Sequence, residues 1–409
     1  MPDHDVIVAG AGPAGLFCAL RCAEAGLRVL LLEKNRGAGK KLLVSGSGRC
    51  NITHAGDIRD FPPRYGARER FVKPALFDFT NAHLVEFFAV RGLAMTETDG
   101  GKIFPATQNA RDVLALLLDE CARHGVSIRL ESAVRSVEAA PPFFLARTRG
   151  ERFTASFLVI ATGGKSYPST GSTGDGYAFA RALGHEIVPP EPALAPLVVK
   201  DYGLRACAGI SLDGALIRLY RAGEFTGESR GDVLFTHRGV SGPGVLDFSR
   251  NVRPGDTVRI ALVGLAEPEL DSILAGAGSS HGKKFLKNAV AGLGVPERLV
   301  EAVLAAAGIQ PDLPMAQLDR ATRARAASLF AGLPVEVEST GGWNEAMVTR
   351  GGIKVDELNR GTMESRLVKG LYFAGEVVDV DGDTGGYNLQ FAFSSAALAA
   401  KAIIAARRS

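Results

Sequence analysis

The first fifteen residues constrain the fold more than any other part of the chain. An apolar run, residues 6–9, leads directly into a Gly-X-Gly-X-X-Gly pattern formed by Gly10, Gly12 and Gly15. A second apolar run ends at Glu33, about twenty residues further on. In this pattern the first glycine permits a tight turn, the second lets the backbone approach a pyrophosphate, and the third lets helix and strand pack closely. The pattern predicts a dinucleotide-binding strand–helix–strand unit, with phosphates at the helix N-terminus and Glu33 on a ribose.

Composition excludes several classes of protein. Of the 409 residues, 46% are hydrophobic and 22% are charged, which is typical of a globular protein with two or three domains. The net charge of +3 gives no electrostatic argument for a nucleic-acid partner. Five cysteines without a Cys-X-X-Cys pair indicate a reducing compartment. With no signal peptide and no apolar segment long enough to span a membrane, we expect a cytoplasmic protein.

Cysteines offer the first candidate for a metal site. Cys18 and Cys22 lie four residues apart on the first predicted helix, a spacing that could suit a ligand pair. Small apolar thiols on the packed face of such a helix are better interpreted as core residues. We therefore expect no metal.

The two ends of the chain share one pattern, and its middle shows another. Buried strands that end in glycines are predicted at residues 157–164 and 370–376. The proline-rich residues 188–192 can continue neither a helix nor a central strand, so they mark a domain boundary. Alternating apolar and polar residues then predict a small antiparallel sheet or barrel, and the Ala- and Leu-rich residues 269–330 predict helices.

The predicted fold class is therefore α/β, with a discontinuous Rossmann-like domain that carries an insertion. The expected domains are residues 1–190 and 346–409 for the Rossmann-like domain, 191–266 and 332–345 for a small antiparallel β-barrel, and 267–331 for a helical subdomain. A long helix that opens at Gly386 closes the first domain, and Arg407 and Arg408 suit its C-terminus.

The later glycine turns indicate which dinucleotide is bound. The strands that end at residues 163–164 and 375–376 would bring main-chain amides to an extended ligand, and FAD is such a ligand. Glu376 or Asp379 would then hydrogen-bond the ribityl or pyrophosphate region. The helix that opens at Gly386 would aim amides at the flavin and stabilise the negative charge of its reduced form. A plain loop at Gly385 and Gly386 is the alternative.

Several longer motifs resemble one known family. The most distinctive block is GKKLLVSGSGRCN at residues 39–51; further blocks lie at residues 163–168, 171–176, 234–243, 349–352 and 375–390. Over nearly its whole length the chain resembles the YhiN/BaiN-like flavoproteins, also called HI0933-like, of the two-dinucleotide-binding-domain superfamily. The resemblance implies FAD, the three-part architecture above and, from some relatives, reduction of carbon–carbon double bonds in bile acid intermediates. His54 stands where the family pattern has asparagine, so it inherits no role.

The expected cofactor-binding residues come from these motifs and from the resemblance. They are Gly10, Gly12, Ala14, Gly15, Glu33 and Lys34 in the N-terminal unit, Lys41, Ser45, Gly46, Gly48, Arg49, Cys50 and Asn51 in the distinctive block, Val134, Ala161, Thr162, Gly163 and Gly164 in the centre, and Gly375, Glu376, Asp379, Gly385, Gly386, Asn388 and Leu389 near the C-terminus. Within this set, Arg49 would neutralise phosphate or pyrimidine charge.

Hydride transfer to or from an activated double bond also requires a group that donates or accepts a proton. His237 is the first candidate, with a purely structural cap of its turn as the alternative. Tyr167 is the second, with packing against the flavin as the alternative. Arg238 would polarise a substrate carbonyl, with a merely solvated loop arginine as the alternative. Cys50 would be a redox partner if its thiol pKa were lowered, and packing is the alternative.

The electron donor and the substrate stay open. No second nucleotide-binding motif is evident, so NAD(P)H, if used, would bind transiently beside the flavin. The leading hypothesis is an FAD-dependent oxidoreductase that transfers hydride to a small organic substrate. A folate-using RNA-modification flavoprotein and a non-catalytic flavin sensor are the alternatives. The RNA alternative would require a basic stripe, which the near-neutral charge and the scattered arginines do not suggest.

Overall fold

The computed structural model describes residues 2–98, 100–280 and 282–408. The chain divides into two compact units, each with its own hydrophobic core. The first unit comprises Met1–Pro192 and Met347–Ser409, and the second comprises Ala193–Ala346.

The described residues form strands and helices with the following bounds. The strands are β1 His4–Ala9, β2 Val29–Leu32, β3 Thr53–His54, β4 Met95–Thr98, β5 Lys102–Pro105, β6 Ser127–Arg129, β7 Ser136–Ala140, β8 Phe143–Arg147, β9 Arg152–Ile160, β10 Ile187–Ala193, β11 Leu197–Val199, β12 Ser211–Arg221, β13 Glu224–Phe235, β14 Gly239–Ser241, β15 Thr257–Ile260, β16 Leu333–Thr340, β17 Val348–Ile353 and β18 Leu371–Phe373. The helices are α1 Pro13–Glu24, α2 Lys40–Val44, α3 Glu69–Asp78, α4 Asn81–Ala89, α5 Ala110–Arg123, α6 Asp175–Ala182, α7 Pro243–Phe248, α8 Glu267–Ser280, α9 Leu286–Ala291, α10 Glu297–Ala306, α11 Arg320–Ala331 and α12 Tyr387–Arg408.

A mixed sheet forms the centre of the first unit. Its strands follow the order β6–β2–β1–β9–β8–β7, and β18 also pairs with β9. β1 pairs in parallel with β2 and β9, whereas β8 pairs antiparallel with β7 and β9. All of β2, and β1 from its second residue, are buried, the continuous burial expected of parallel strands that are covered on both faces.

Helices α1 and α12 pack together in the first unit. The ring of Phe17 lies with its centroid 5.0–5.2 Å from those of Phe79, Phe87 and Phe393, mostly in edge-to-face geometry. By length and composition alone α12 could cross a membrane, but 67% of its most apolar window is buried inside the structure. Its apolar character is that of a core helix.

The proline-rich segment forms a strand, contrary to the prediction from its sequence. β10 contains Pro189, Pro190 and Pro192 and pairs with β17 in a separate two-stranded sheet. Proline lacks the N–H donor that a central strand needs, so an edge position accommodates these residues. The first unit ends within this strand, at Pro192.

The strands of the second unit close into a barrel in the order β11–β14–β13–β12–β15–β16. Along β12 and β15, buried residues such as Ile217, Leu219 and Val258 alternate with more exposed ones. Helices α8 to α11 contribute residues such as Val300 and Phe330 to the same core.

Candidate functional site

The glycine loop between β1 and α1 has the form of a phosphate cradle. Gly10 has a φ of +104°, and a Cβ there would lie 2.5 Å from the Ala161 carbonyl oxygen. A Cβ on Gly15 would lie 1.8 Å from the Gly10 carbonyl oxygen, so helix and strand pack too closely for a side chain. By contrast, a Cβ on Gly12, the N-cap of α1, would meet no atom within 4 Å. Open space before a helix N-terminus suits a pyrophosphate.

The end of β2 carries the predicted acidic residue in a position suited to a ribose. The Glu33 carboxylate is buried, accepts a hydrogen bond from the Ala11 amide at 2.9 Å, and accepts two from Asn35 at 2.9 and 2.8 Å. It therefore links the glycine loop to the turn after β2. Lys34, also predicted as a cofactor ligand, is instead paired with Asp175 at 2.6 Å.

A polar network surrounds Gly164 at the end of β9. The Lys41 ammonium donates to Glu376 Oε2 at 2.5 Å and to Ser166 Oγ at 2.6 Å. Glu376 Oε1 accepts from Ser166 Oγ and from the Thr349 amide, both at 2.9 Å. A Cβ on Gly164 would lie 2.1 Å from Thr349 Oγ1, so only bare backbone fits there. The fold thus unites Lys41, Gly164 and Glu376, which the sequence predicted as cofactor ligands.

Ser166 and Thr349 are the members of this network that sequence reasoning missed. Both are fully buried, and Thr349 Oγ1 accepts from the amides of Lys165 and Ser166 at 2.7 and 3.2 Å. Each lies beside a glycine pair, in blocks that were noted only for their resemblance to the family. That position beside glycines is the signal that could have identified them.

Two hydroxyl groups near the same strand end are buried. Thr162 Oγ1 and the Tyr177 hydroxyl are buried and have no hydrogen-bond partner among the described residues. A Cβ on Gly176 would lie 2.2 Å from Thr162 Oγ1. Burial raises the pKa of Tyr177, and the nearby carboxylates Glu376 and Asp379 add to the shift. A bound group with acceptor oxygens would satisfy these hydroxyls.

Asp379 is nearly inaccessible to solvent and is held by a cation. It forms an ion pair with Arg68, the last residue of the 3₁₀ segment that begins at Pro62. Burial raises the pKa of the Asp379 carboxyl, although Arg68 and Arg350 oppose the shift. Asp379 therefore anchors the loop between β18 and α12.

The loop after α2 adopts an unusual backbone. Gly46 and Ser47 have φ/ψ of 54°/37° and 58°/39°, and Cys50 also has a positive φ of 65°. Left-handed conformations at residues other than glycine cost free energy and tend to occur at functional sites. The Arg49 guanidinium carbon lies 4.7 Å from the centre of the Phe104 ring, and its side chain is exposed.

The structure corrects the expectation that Cys50 carries a redox-active thiol. The residue is fully buried, and burial raises its pKa to about 12, with the Ser45 hydroxyl opposing only part of that shift. Such a thiol is not ionised at neutral pH and is a poor nucleophile. The packing interpretation of Cys50 is the one that the structure supports.

The side chains of Asn51 and Asn388 form hydrogen bonds with the backbone around the start of α12. In the amide orientation that pairs each donor with an acceptor, Asn51 accepts from the Gly386 amide at 3.1 Å and donates to the Thr53 carbonyl at 2.9 Å. Asn388 Oδ1 accepts from the Gly382 amide at 2.8 Å. Both side chains are engaged in shaping the turn that precedes α12.

Gly375 lies where α1 and α12 meet the end of β18. A Cβ there would lie 2.9 Å from the Ala14 Cβ, and its amide donates to Ser395 Oγ at 3.0 Å. Gly163, with a φ of +75°, lies three residues after the neighbouring strand β9, and Val134 is half-buried against the same core.

The remaining catalytic candidates lie in both units. Tyr167 has left-handed φ/ψ of 53°/60°, is half-buried and directly follows Ser166 of the polar network. His237 and Arg238 are exposed on the turn between β13 and β14 of the second unit. Arg238 Nη2 donates to both carboxylate oxygens of Glu345, at 2.6 and 2.7 Å, and both side chains of this pair are partly exposed. Its role in polarising a substrate carbonyl stays a prediction.

Comparison with known proteins covers almost the whole chain. A family model described as the HI0933-like protein Rossmann domain matches residues 4–402. The ribosomal RNA dihydrouridine synthase of Escherichia coli (strain K12) is 37% identical over 100% of both chains. That of Haemophilus influenzae is 34% identical over 95% of this chain and 96% of its own. The 3-dehydro-bile acid delta(4,6)-reductase of Clostridium scindens is 32% identical over 97% and 98%.

Solved structures share the fold at low sequence identity. A flavocytochrome c3 fumarate reductase in an open conformation has a TM-score of 0.53 and 17% identity, covering 99% of this chain and 79% of its own. The 3-ketosteroid delta1-dehydrogenase of Sterolibacterium denitrificans has a TM-score of 0.53 and 14% identity, covering 98% and 99%. Together with the family model, these matches confirm a Rossmann-like α/β fold of the FAD-binding type.

Proposed function

The chain belongs to the HI0933-like family of flavin-dependent oxidoreductases, and from that premise we propose that it reduces uridine in ribosomal RNA to dihydrouridine. One observation carries the proposal: the chain matches two ribosomal RNA dihydrouridine synthases over essentially their entire lengths, at 37% and 34% identity. The expectation of a small organic substrate and of no nucleic-acid partner gives way to this proposal. A ribosomal RNA substrate also accords with the expected cytoplasmic location.

The proposed reaction adds two hydrogens across the C5=C6 bond of uracil, one as hydride and one as a proton. Bound FAD in its reduced form supplies the hydride. In this proposal the open space at Gly12 receives the pyrophosphate at the N-terminus of α1, and Glu33 accepts hydroxyls of the ribose. Lys41 and Glu376 neutralise each other and hold the strand end at Gly164 against the cofactor.

The proton must come from a protein group that reaches the uracil ring. Tyr167 is the candidate that adjoins the polar network directly, and its half-buried side chain is accessible. His237 is the second candidate, on its exposed turn in the second unit. NAD(P)H, binding transiently, is the proposed source of the electrons.

The distribution of charge supports a polyanionic substrate. Residues 34–73 contain ten Lys and Arg and three Asp and Glu, a net charge of +7 in a chain whose total is +3. Six arginines lie in this segment, around the distinctive block, and the others are spread through the rest of the chain. Arg49 and Arg70 are exposed there. A local excess of positive charge attracts phosphates and accelerates association with RNA.

A second candidate function is reduction of an enone. The observation that favours it is the 32% identity to a 3-dehydro-bile acid delta(4,6)-reductase, again over nearly the full length of both chains. Both reactions add hydride and a proton to a carbon–carbon double bond conjugated to a carbonyl. Both therefore place the same demands on the cofactor site.

Complementation distinguishes the two functions. The protein is expressed in an Escherichia coli strain that lacks its own ribosomal RNA dihydrouridine synthase, and nucleosides from purified ribosomal RNA are analysed by mass spectrometry. We expect dihydrouridine to return with the wild-type chain and to fall at least about tenfold with Lys41→Met, which leaves the partly buried Glu376 carboxylate without its cation. Lys354→Met, which breaks an exposed ion pair with Glu186, is the matched control and should behave as wild type. If the complemented strain contains no dihydrouridine in its ribosomal RNA, and the purified protein reduces enones in vitro, the second candidate is supported instead.

A further inference from the structure

We propose that the outer face of the barrel in the second unit, along the adjacent strands β13, β12 and β15, binds single-stranded RNA. This inference rests on the proposed function. The strand register defines this face, because alternate residues of a strand share one side. Tyr220 on β12 lies opposite Phe225 on β13 and Thr257 on β15. Two residues before Tyr220, Arg218 lies opposite Arg259. We call these side chains, together with Arg230, the arginine–aromatic face.

The rings of this face are directed away from the core. Ile217 and Leu219, which alternate with Arg218 and Tyr220, are fully or nearly fully buried. Phe225 is 56% exposed, although a phenylalanine on a barrel strand could be buried. Its ring centroid lies 5.9 Å from that of Tyr220, in edge-to-face geometry. The pair forms an aromatic surface that is open to solvent.

Arginine extends the aromatic surface on its other side. The Arg259 guanidinium carbon lies 5.2 Å from the centre of the Tyr220 ring. Phe225, Tyr220 and Arg259 thus lie in sequence across three adjacent strands. Unstacked bases of single-stranded RNA bind to aromatic rings and to planar guanidinium groups, whereas bases within a duplex cannot reach them.

The charge of the face complements the RNA backbone. Arg218, Arg230 and Arg259 are exposed, and Glu228 is the carboxylate paired with one of them, at 3.2 Å from Arg218. That pair is about half exposed on both sides, so phosphate can compete for the arginine. Arg230 donates to the Gly214 carbonyl oxygen, a neutral acceptor, at 3.3 Å. Cations interleaved with aromatic rings favour RNA over an acidic protein or an apolar partner.

Fluorescence anisotropy with a labelled oligouridine of about 12 nucleotides tests this face on the FAD-loaded, full-length protein. We expect Phe225→Ala to weaken binding at least about fivefold, and Phe225→Trp to retain it. Arg259→Ala should reduce the slope of log affinity against log salt by about one. Phe285→Ala removes another exposed phenylalanine of the same unit, outside the face, and is the matched control.

The outcomes separate this proposal from the proposed function. If wild type and Phe225→Ala bind oligouridine with equal affinity, the proposed RNA-binding face is wrong, even if both proteins form dihydrouridine in ribosomal RNA. A wild type that forms dihydrouridine but does not bind oligouridine would also overturn it. A wild-type dimer that Phe225→Ala dissociates in analytical ultracentrifugation would reassign the face to self-association. If no ribosomal RNA is modified but Phe225→Ala weakens the binding of oligouridine, the proposed function is wrong and the RNA-binding face is supported.

Discussion

Substitution of Gly12 by alanine separates cofactor binding from folding. A methyl group at this position meets no atom of the protein within 4 Å, and Gly12 has a φ of −78°, which alanine adopts readily. We therefore expect the free energy of unfolding of the FAD-free protein to change by less than about 1 kcal/mol, the scale of an N-cap substitution. The same methyl group would occupy the space proposed for the pyrophosphate.

The expected loss of FAD affinity follows from the contacts that the methyl group would block. Loss of one or two charge-assisted hydrogen bonds to phosphate costs about 2–4 kcal/mol, or roughly 30- to 900-fold in the dissociation constant. Fluorescence titration of the FAD-free protein with FAD measures that constant, and urea denaturation measures the stability. Gly264→Ala, also directed into open space but in the second unit, is the matched control for the added methyl group. Wild-type FAD affinity in Gly12→Ala would refute the placement of the pyrophosphate.

Three further predictions concern the first unit. Gly164→Ala should destabilise the FAD-free protein by about 2–5 kcal/mol in urea denaturation, because its Cβ would displace Thr349 and leave buried amides unpaired; a change below about 1 kcal/mol would contradict the network. Cys50→Ala should leave the rate of flavin bleaching by NADPH unchanged in stopped-flow absorbance, since the buried thiol is protonated; a large decrease in rate would restore the redox role. Burial lowers the pKa of His185, so the unfolded chain binds more protons and stability falls as the pH drops below about 6.5. The difference in unfolding free energy between wild type and His185→Gln should therefore shrink in acid. A difference that does not change with pH would show that protonation of His185 does not contribute to the pH dependence of stability.

Local patterns predicted the parts of the site that depend on neighbouring residues. Gly10, Gly12 and Gly15 define a strand–turn–helix whose geometry follows from steric limits on the backbone, and Glu33 follows at the next strand end. The cradle could therefore be predicted from about thirty residues of sequence.

The parts that were missed depend on contacts between distant segments. Ser166 and Thr349 are 183 residues apart in the chain and meet only in the folded structure, where the Ser166 amide donates to Thr349 Oγ1. Burial decides whether Cys50 is a nucleophile or a core residue, and sequence alone does not report burial. The ion pair between Arg238 and Glu345 likewise joins residues that are 107 apart in the chain.

A single-turnover experiment tests most directly whether the chain reduces uridine in ribosomal RNA. The FAD-loaded protein is reduced with dithionite under anaerobic conditions, which removes any dependence on the natural electron donor. Ribosomal RNA lacking dihydrouridine is then added while flavin absorbance is followed and nucleosides are counted by mass spectrometry. We predict that the flavin is reoxidised with formation of one dihydrouridine per flavin. A flavin that stays reduced with this RNA, yet is reoxidised by an enone, would contradict the proposed function.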